Sequence, residues 1–254
     1  MPNASLRPRF ARDGIFNVRD LGGLRSGDGR QVATGRLVRA DALHRARSTA
    51  DDLRRYGVVR VLDLRDQRER DEEGVLGSPG IEVVHLPVLD PAFDWVDDSH
   101  DDFDTMLAHR YQVILESFPD RFAEAVGAVV EVVAKGSSGA VAYHCAVGKD
   151  RTGLLTALLL GLLGVPDETV IDDYTRSGVA VAVQVSWLWS MGYPAGHVAE
   201  EHLENGLWSA RPETMRRTLD WLAGEHGGAA SYMRSAGLDD DQIEALRRAL
   251  LVEG

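Results

Sequence analysis

The run His144-Cys145-Ala146-Val147-Gly148-Lys149-Asp150-Arg151-Thr152-Gly153 sits between two apolar segments, and that placement constrains the fold more than anything else in the chain. Upstream, Gly139 to Tyr143 is a short Ala/Val-rich stretch of the length and type of a buried strand. Downstream, Arg151 to Leu163 is an apolar run long enough for a buried helix. A strand, a glycine-containing turn and a helix start in direct succession let several backbone N–H groups converge at the positive end of the helix dipole. Such a point suits a phosphate.

The same loop holds the chain's single cysteine. A helix N-terminus with Lys149 and Arg151 close by favours the thiolate of Cys145 over the thiol. Arg151 offers a planar fork for two oxygens of a phosphoryl group, which a lysine matches less well. Thr152 brings a hydroxyl that could assist departure of the sulfur when a phosphocysteine breaks down. The backbone of Ala146, Val147, Gly148 and Lys149 would complete the phosphate cradle. A buried structural thiol is the commoner fate of a lone cysteine, but Arg, Gly and Thr at these offsets favour a nucleophile. A nucleotide-binding loop is excluded by spacing, because Tyr143 stands where the first glycine is required and Asp150 where Ser or Thr must follow the lysine.

His144 to Gly153 resembles the signature of cysteine-dependent phosphatases, and its Gly-Lys-Asp-Arg-Thr-Gly form is similar to that of the atypical bacterial protein-tyrosine and phosphoinositide phosphatases. Phe16-Asn17-Val18-Arg19-Asp20-Leu21-Gly22-Gly23 resembles the N-terminal hallmark of that family. Arg39 to Leu43, Val61 to Arg65, Asp173 to Ser177 and Tyr232 to Arg234 also match, in order, from about Phe16 to about Leu251. The resemblance implies an α/β, protein-tyrosine-phosphatase-like three-layer fold, with a small, mostly parallel sheet flanked by helices and extra helices that could serve as a lid. It implies a metal-independent protein-tyrosine phosphatase with Cys145 as nucleophile, acting on a phosphorylated protein or a phosphoinositide. Two rivals remain: a catalytically silent phosphoresidue-binding module and, more distantly, a rhodanese-like sulfurtransferase.

Expulsion of an alkoxide or phenoxide is easier when a carboxylic acid protonates it, and two aspartates compete for that role. Asp150 lies in the loop, where the resembling family also carries an aspartate. Asp90 follows the Ile81 to Val88 strand, where related dual-specificity enzymes place their acid. Their alternatives are a loop-bracing ion pair and an ordinary cap. Lys149 is expected at the pocket rim, to meet a second phosphate or an acidic flank, with a solvated lysine as the bland alternative. His144 is expected to brace the loop rather than move protons. Asn17, Arg19 and Asp20 read as a buried hydrogen-bond network, and Asp63 and Arg65 as bracing.

The rest of the chain bounds these readings. At 254 residues and 44% hydrophobic content it can bury one substantial core, which predicts a single domain over 1–254 with a flexible tail over about 1–13. A formal charge of −12 argues against nucleic acid and bulk anionic membrane as partners. One cysteine excludes an intramolecular disulfide framework and suits a reducing, cytoplasmic setting. Residues 1–14 carry no apolar signal core, and Leu154 to Val165 is shorter than the ~20 residues that span a bilayer.

Two clusters invite metal readings and do not support them. The acidic run Asp97 to Asp102 lacks the pattern of a calcium loop. His197 and His202 lack the His-Glu-x-x-His pattern of zinc sites, so no metal or other cofactor is expected. Trp187, Trp189 and Tyr193 could line a lid or an aryl pocket, although aromatics so spaced are more often core. Helices are predicted from Ser48 to Gly57, Asp102 to Phe118, Asp120 to Val133, Asp167 to Ser177, Val181 to Ser190, Pro212 to Ala223 and Asp239 to Leu251. Strands are predicted over Val58 to Leu64 and Ile81 to Val88.

Overall fold

The computed structural model describes residues 7–90, 102–134, 139–192, 206 and 208–254. The first half of the chain lays down α1 (Arg7–Phe10), β1 (Arg19–Asp20), β2 (Gln31–Val32), β3 (Leu37–Asp41), α2 (Ala50–Tyr56), β4 (Val58–Asp63), α3 (Gln67–Glu73) and β5 (Glu82–His85). Then follow α4 (Phe103–Ser117), α5 (Pro119–Val133), β6 (Ala140–Cys145), α6 (Asp150–Leu162) and α7 (Asp167–Ser190). The described chain closes with α8 (Pro212–His226), α9 (Ala229–Ser235), α10 (Asp240–Leu250) and β7 (Leu251–Val252).

Five strands form one sheet in the order β1-β3-β6-β4-β5, with only the β1 edge antiparallel. The expected small, mostly parallel sheet between helical layers is therefore present. Successive side chains of a strand face opposite sides, and β6 shows what this does. Val141, Tyr143 and Cys145 join the large core built with α4 to α7, while Ala140 and Ala142 join the smaller core with Phe10, Ile15 and Leu53. The alternation thus sends the sulfur to one layer and His144 to the other. Parallel register sets Asp41 beside Cys145 and Arg39 beside Tyr143, so the charged residues of β3 lie next to the strand that ends in the cysteine.

Helix α6 is buried nearly all round, from Thr152 to Leu160, as its unbroken apolar run requires. Its buried course fixes where its N-terminus, and hence the loop, can point. Among the described residues no helix is long and apolar enough to cross a membrane.

Several local expectations are corrected. Within the stretch read as a tail over about 1–13, residues 7–10 are helical, with Phe10 fully buried and Asp13 accepting bonds from the Ser48 and Thr49 amides and hydroxyls. Asp13 therefore fixes the Ser48-Thr49 entry to α2 from 35 residues away in sequence, and neither hydroxyl caps the helix as the local reading expected. Helix α7 is continuous across Gly178, where two helices were expected, and Ala210 packs against that glycine. The strand expected to reach Val88 ends at His85. Asp102 caps α4, accepting from the Asp104 and Thr105 amides; the rest of the acidic run, Tyr193, His197 and His202 lie outside the described residues.

Candidate active site

Cys145 is the last residue of β6 and is 2% exposed. Its Sγ accepts hydrogen bonds from the Gly148 amide at 3.2 Å and the Thr152 hydroxyl at 3.3 Å. Gly148 is at φ +69°, and a Cβ there would lie 2.6 Å from the Ala40 carbonyl oxygen, so the turn and the close approach to β3 both require glycine. Thr152 is itself held from below, because its carbonyl accepts from Thr156, whose hydroxyl meets that of Tyr143.

The carbonyls of the loop are pinned from behind, one after another. The Cys145 oxygen accepts from the Ala42 amide at 3.0 Å and the Ala146 oxygen from Gln184 at 3.3 Å. Val147 and Gly148 oxygens both accept from the Asn17 side chain, and Gly148 also from Arg39 at 2.7 Å. In a trans peptide the N–H points opposite to the C=O. Fixing these oxygens outward therefore turns the following N–H groups inward, as the Gly148 amide on the sulfur demonstrates. The result is a loop whose donors turn toward Cys145 at the head of α6, a ring in which the Gly148 amide and the Thr152 hydroxyl reach the sulfur.

The residues that hold this ring form a buried cluster. Asp173, 2% exposed, pairs with Arg19 at 2.7 Å and Arg39 at 2.5 Å, and Ser177 receives both guanidinium groups. Arg19 also donates to the Asn17 side-chain oxygen. Burial opposes the Asp173 charge, but the two arginines prevail and hold its pKa down to about 2. Burial and the neighbouring Arg39 lower the Arg19 pKa to about 10. Asn17 and Arg19 thus belong to the expected buried network, and that network reaches the loop itself. Asp20 accepts from the Gly22 and Gly35 amides and from the Tyr56 hydroxyl, away from the loop.

On the other face, His144 is fully buried and burial pushes its pKa down to about 4. Its Nδ1 lies 3.1 Å from the Cys145 carbonyl oxygen, which can only accept, so that nitrogen carries the proton. Asp63 and Arg65 form a buried ion pair at 2.8 Å.

At the mouth, a cavity of about 450 Å³ is lined by Val147, Asp150 and Arg151 of the loop, by Glu69 and Arg68 of α3, and by Leu107 and Tyr111 of α4 among others. Leu89 is part of its wall and Asp90 is not. Asp90 is directed to Arg121 of α5, 3.6 Å away. Cys145 is not part of this wall either and lies within the loop. Arg151 grips Glu69 with both terminal nitrogens, at 2.5 and 2.8 Å. Burial works against its charge, but the Glu69 carboxylate and the nearby Cys145 sulfur outweigh it and push the Arg151 pKa up. Glu69 was invisible in sequence as a site residue, although it follows Asp66 by three as the second half of a capping box.

Lys149 departs from the expectation of a rim cation. It is 1% exposed, and its Nζ donates to the Ser209 carbonyl at 2.9 Å and faces Asp150 Oδ1 at 3.1 Å. The ammonium is turned into the protein instead of toward a second phosphate. Asp150 also accepts from the Tyr111 hydroxyl at 2.5 Å. Trp187 packs over Gly14 and edge-on to Phe16, while Trp189 is 44% exposed.

An α/β sheet that ends its central strand in a cysteine, with peptide donors, a threonine hydroxyl and an arginine gathered at the next helix, defines a class of anion-handling cysteine proteins. Within that class, this chain belongs to the tyrosine phosphatase family, whose sequence profile matches residues 10–252, and it is a phosphatase of the protein-tyrosine type. It is 30% identical to the triple specificity protein phosphatase PtpB of Mycobacterium tuberculosis, over 94% of this chain and 97% of that one. It is 33% identical to the putative tyrosine-protein phosphatase H16_A0669 of Cupriavidus necator, over 67% and 63% respectively. A tyrosine-protein phosphatase of Nostoc commune is 29% identical over 86% of this chain and 72% of its own length.

Proposed function

We propose that the chain hydrolyses phosphomonoesters through a phosphocysteine on Cys145, with protein phosphotyrosine as the principal substrate. The observation that carries this reading is the convergence of the Gly148 amide and the Thr152 hydroxyl on Sγ while the loop's carbonyls are held outward. A phosphoryl group entering that ring meets N–H donors on its oxygens and the sulfur on its phosphorus. Arg151 retains N–H groups beyond the two on Glu69 and can add a second hold on the same oxygens.

In the first step the Sγ–P bond forms and the P–O bond to the leaving group breaks, with a proton from Asp150 going to the departing oxygen. In the second, water attacks phosphorus, its proton goes to Asp150, and the S–P bond breaks to release orthophosphate. The Thr152 hydroxyl stabilises the sulfur as it leaves. Asp150 is the better placed of the two candidate acids, because it lines the cavity and Asp90 does not. The apolar walls from Leu89, Leu107, Ile114, Val147 and Trp208 suit an aryl ring. Phosphoserine, phosphothreonine and phosphoinositides are further candidate substrates, and the printed name of the PtpB relative, a triple specificity protein phosphatase, supports a range wider than phosphotyrosine. A lone, buried cysteine fits a reducing cytoplasm.

Turnover of p-nitrophenyl phosphate in the presence of a chelator, abolished in Cys145→Ser with retained fold, is the expected result. Undiminished turnover in that variant would remove Cys145 from the mechanism. Phosphopeptide binding with no phosphate release by the wild type would favour the silent binding module.

A further inference from the structure

The carboxyl group of Asp150 meets two buried side chains, backed by a third, that the proposed chemistry does not itself use. Tyr111 on α4, Tyr174 on α7 and Lys149 are each 1% exposed, whereas the Asp150 side chain is 36% exposed. Asp150 Oδ1 accepts the Tyr111 hydroxyl at 2.5 Å and faces Lys149 Nζ at 3.1 Å. The two tyrosine hydroxyls are 2.9 Å apart, with the rings at a near-perpendicular 88°.

The proton count fixes the direction of this chain. A tyrosine has one hydroxyl proton, and Tyr111 gives its own to Asp150, so Tyr174 must donate to the Tyr111 oxygen. Burial first, and then the Asp150 charge, raise the pKa of both tyrosines, which keeps them as donors throughout the working range. An ammonium has donors only. With the Tyr111 hydroxyl donated to Oδ1 and the Lys149 ammonium 3.1 Å from the same oxygen, a proton on Oδ1 would meet an O–H donor and a positive charge. Among the described residues no protein donor meets Oδ2, and Asp150 is part of the cavity wall.

We propose that Tyr111, supported by Tyr174 and Lys149, is a positioning residue that fixes the Asp150 carboxyl with its transferable proton on Oδ2, toward the leaving oxygen of the substrate. This rests on Asp150 being the general acid. It also gives Lys149 a task different from phosphate binding: it orients the acid from inside, anchored on the Ser209 carbonyl.

The test compares kcat/KM for p-nitrophenyl phosphate, whose leaving group needs little protonation, with phenyl phosphate, whose leaving group needs more. It uses the full chain as wild type, Asp150→Asn, Tyr111→Phe and Tyr174→Phe. Because both substrates are read on one protein sample, the ratio between them is unaffected by any fraction of a variant that fails to fold. General acid catalysis contributes about 10²–10⁴-fold, so Asp150→Asn should lose on the order of 100-fold on phenyl phosphate and far less on p-nitrophenyl phosphate. Tyr111→Phe should follow the same pattern with a loss of about tenfold on the poor leaving group, and Tyr174→Phe should follow with a smaller one. Equal losses on both substrates in Tyr111→Phe, beside a leaving-group-dependent loss in Asp150→Asn, would overturn the positioning role and leave the acid in place. A loss in Asp150→Asn that ignores the leaving group would overturn the acid assignment and this inference with it.

Discussion

The back and the mouth of the phosphate loop are built on opposite principles. Behind the loop, Asn17, Arg39, Asp173 and Ser177 are 2% exposed or less; Asn17 and Arg39 hold its carbonyls, and Asp173 and Ser177 hold Arg39 in turn. At the mouth, the Glu69–Arg151 pair is partly exposed, the Arg68–Glu72 pair is openly exposed, and Asp150 is 36% exposed although its partner Lys149 is buried. The low dielectric at the back makes each bond strong and each unpaired group costly. The wetter mouth tolerates exchange of partners, which a site that admits and releases phosphate requires. Fold and donor geometry are therefore set at the back, while the proposed mechanism assigns substrate discrimination and proton transfer to the front.

That contrast predicts which substitutions unfold the protein and which change only its kinetics. The largest effect is expected for Gly148→Ala, which combines a left-handed φ with a Cβ 2.6 Å from the Ala40 oxygen. Strain of this kind costs about 1–3 kcal/mol before the clash is counted, so both the melting temperature and turnover should fall steeply. Wild-type activity in that variant would show the loop is not held as described. Next, Asp173→Asn leaves two buried guanidinium groups without their carboxylate and should cost about 3–5 kcal/mol in a denaturant titration.

Glu69→Gln tests the mouth. Its pair with Arg151 is about one-fifth exposed, so stability should change by about 1 kcal/mol or less. Meanwhile kcat/KM should drop by about tenfold, equivalent to ~1.4 kcal/mol, as Arg151 loses its orientation. A melting loss matching that of Asp173→Asn would erase the distinction between back and mouth.

The subtlest effect to read, a change of slope and not of magnitude at one pH, is a pH dependence. Burial lowers the pKa of His44 to about 2 and of His144 to about 4, against 6.5 for the free side chain. The unfolded chain therefore binds more protons there, and stability is lost as pH falls from about 6.5 toward 4. Asp41 acts in the opposite sense. Burial raises it from 3.8 to about 6, so the folded state takes up its proton first and gains stability over the same window. Two groups against one leave a net slope near 1.4 kcal/mol per pH unit. Melting curves of Asp41→Asn should be steeper in pH than those of the wild type, and an unchanged slope would contradict the Asp41 assignment.

Much of the front of this design was legible in the chain. The cysteine, its glycine turn and the apolar helix after it lie within twenty residues, and periodicity reports local order well. The back was legible only in part: Asn17 and Arg19 read as a buried network, but their partners did not, because Asn17 meets Gly148 across 131 residues and Arg39 meets Asp173 across 134. Hydropathy treats such residues as surface. Strand β3, Leu37–Asp41, escaped detection for the same reason: it is buried at every position although it carries Arg39 and Asp41. Lys149 misled because a lysine beside an anion site reads as a ligand until its neighbours are known. Here the Ser209 carbonyl, sixty residues on, turns it inward.

The most direct measurement of the covalent chemistry is acid quenching of the full-length protein during turnover of a phosphotyrosine peptide, followed by mass mapping of the adduct. One phosphoryl group on the peptide containing Cys145, absent from Cys145→Ser, is the expected result. Steady turnover with no adduct, or an adduct on any other side chain, would contradict a sulfur nucleophile at the floor of the cradle.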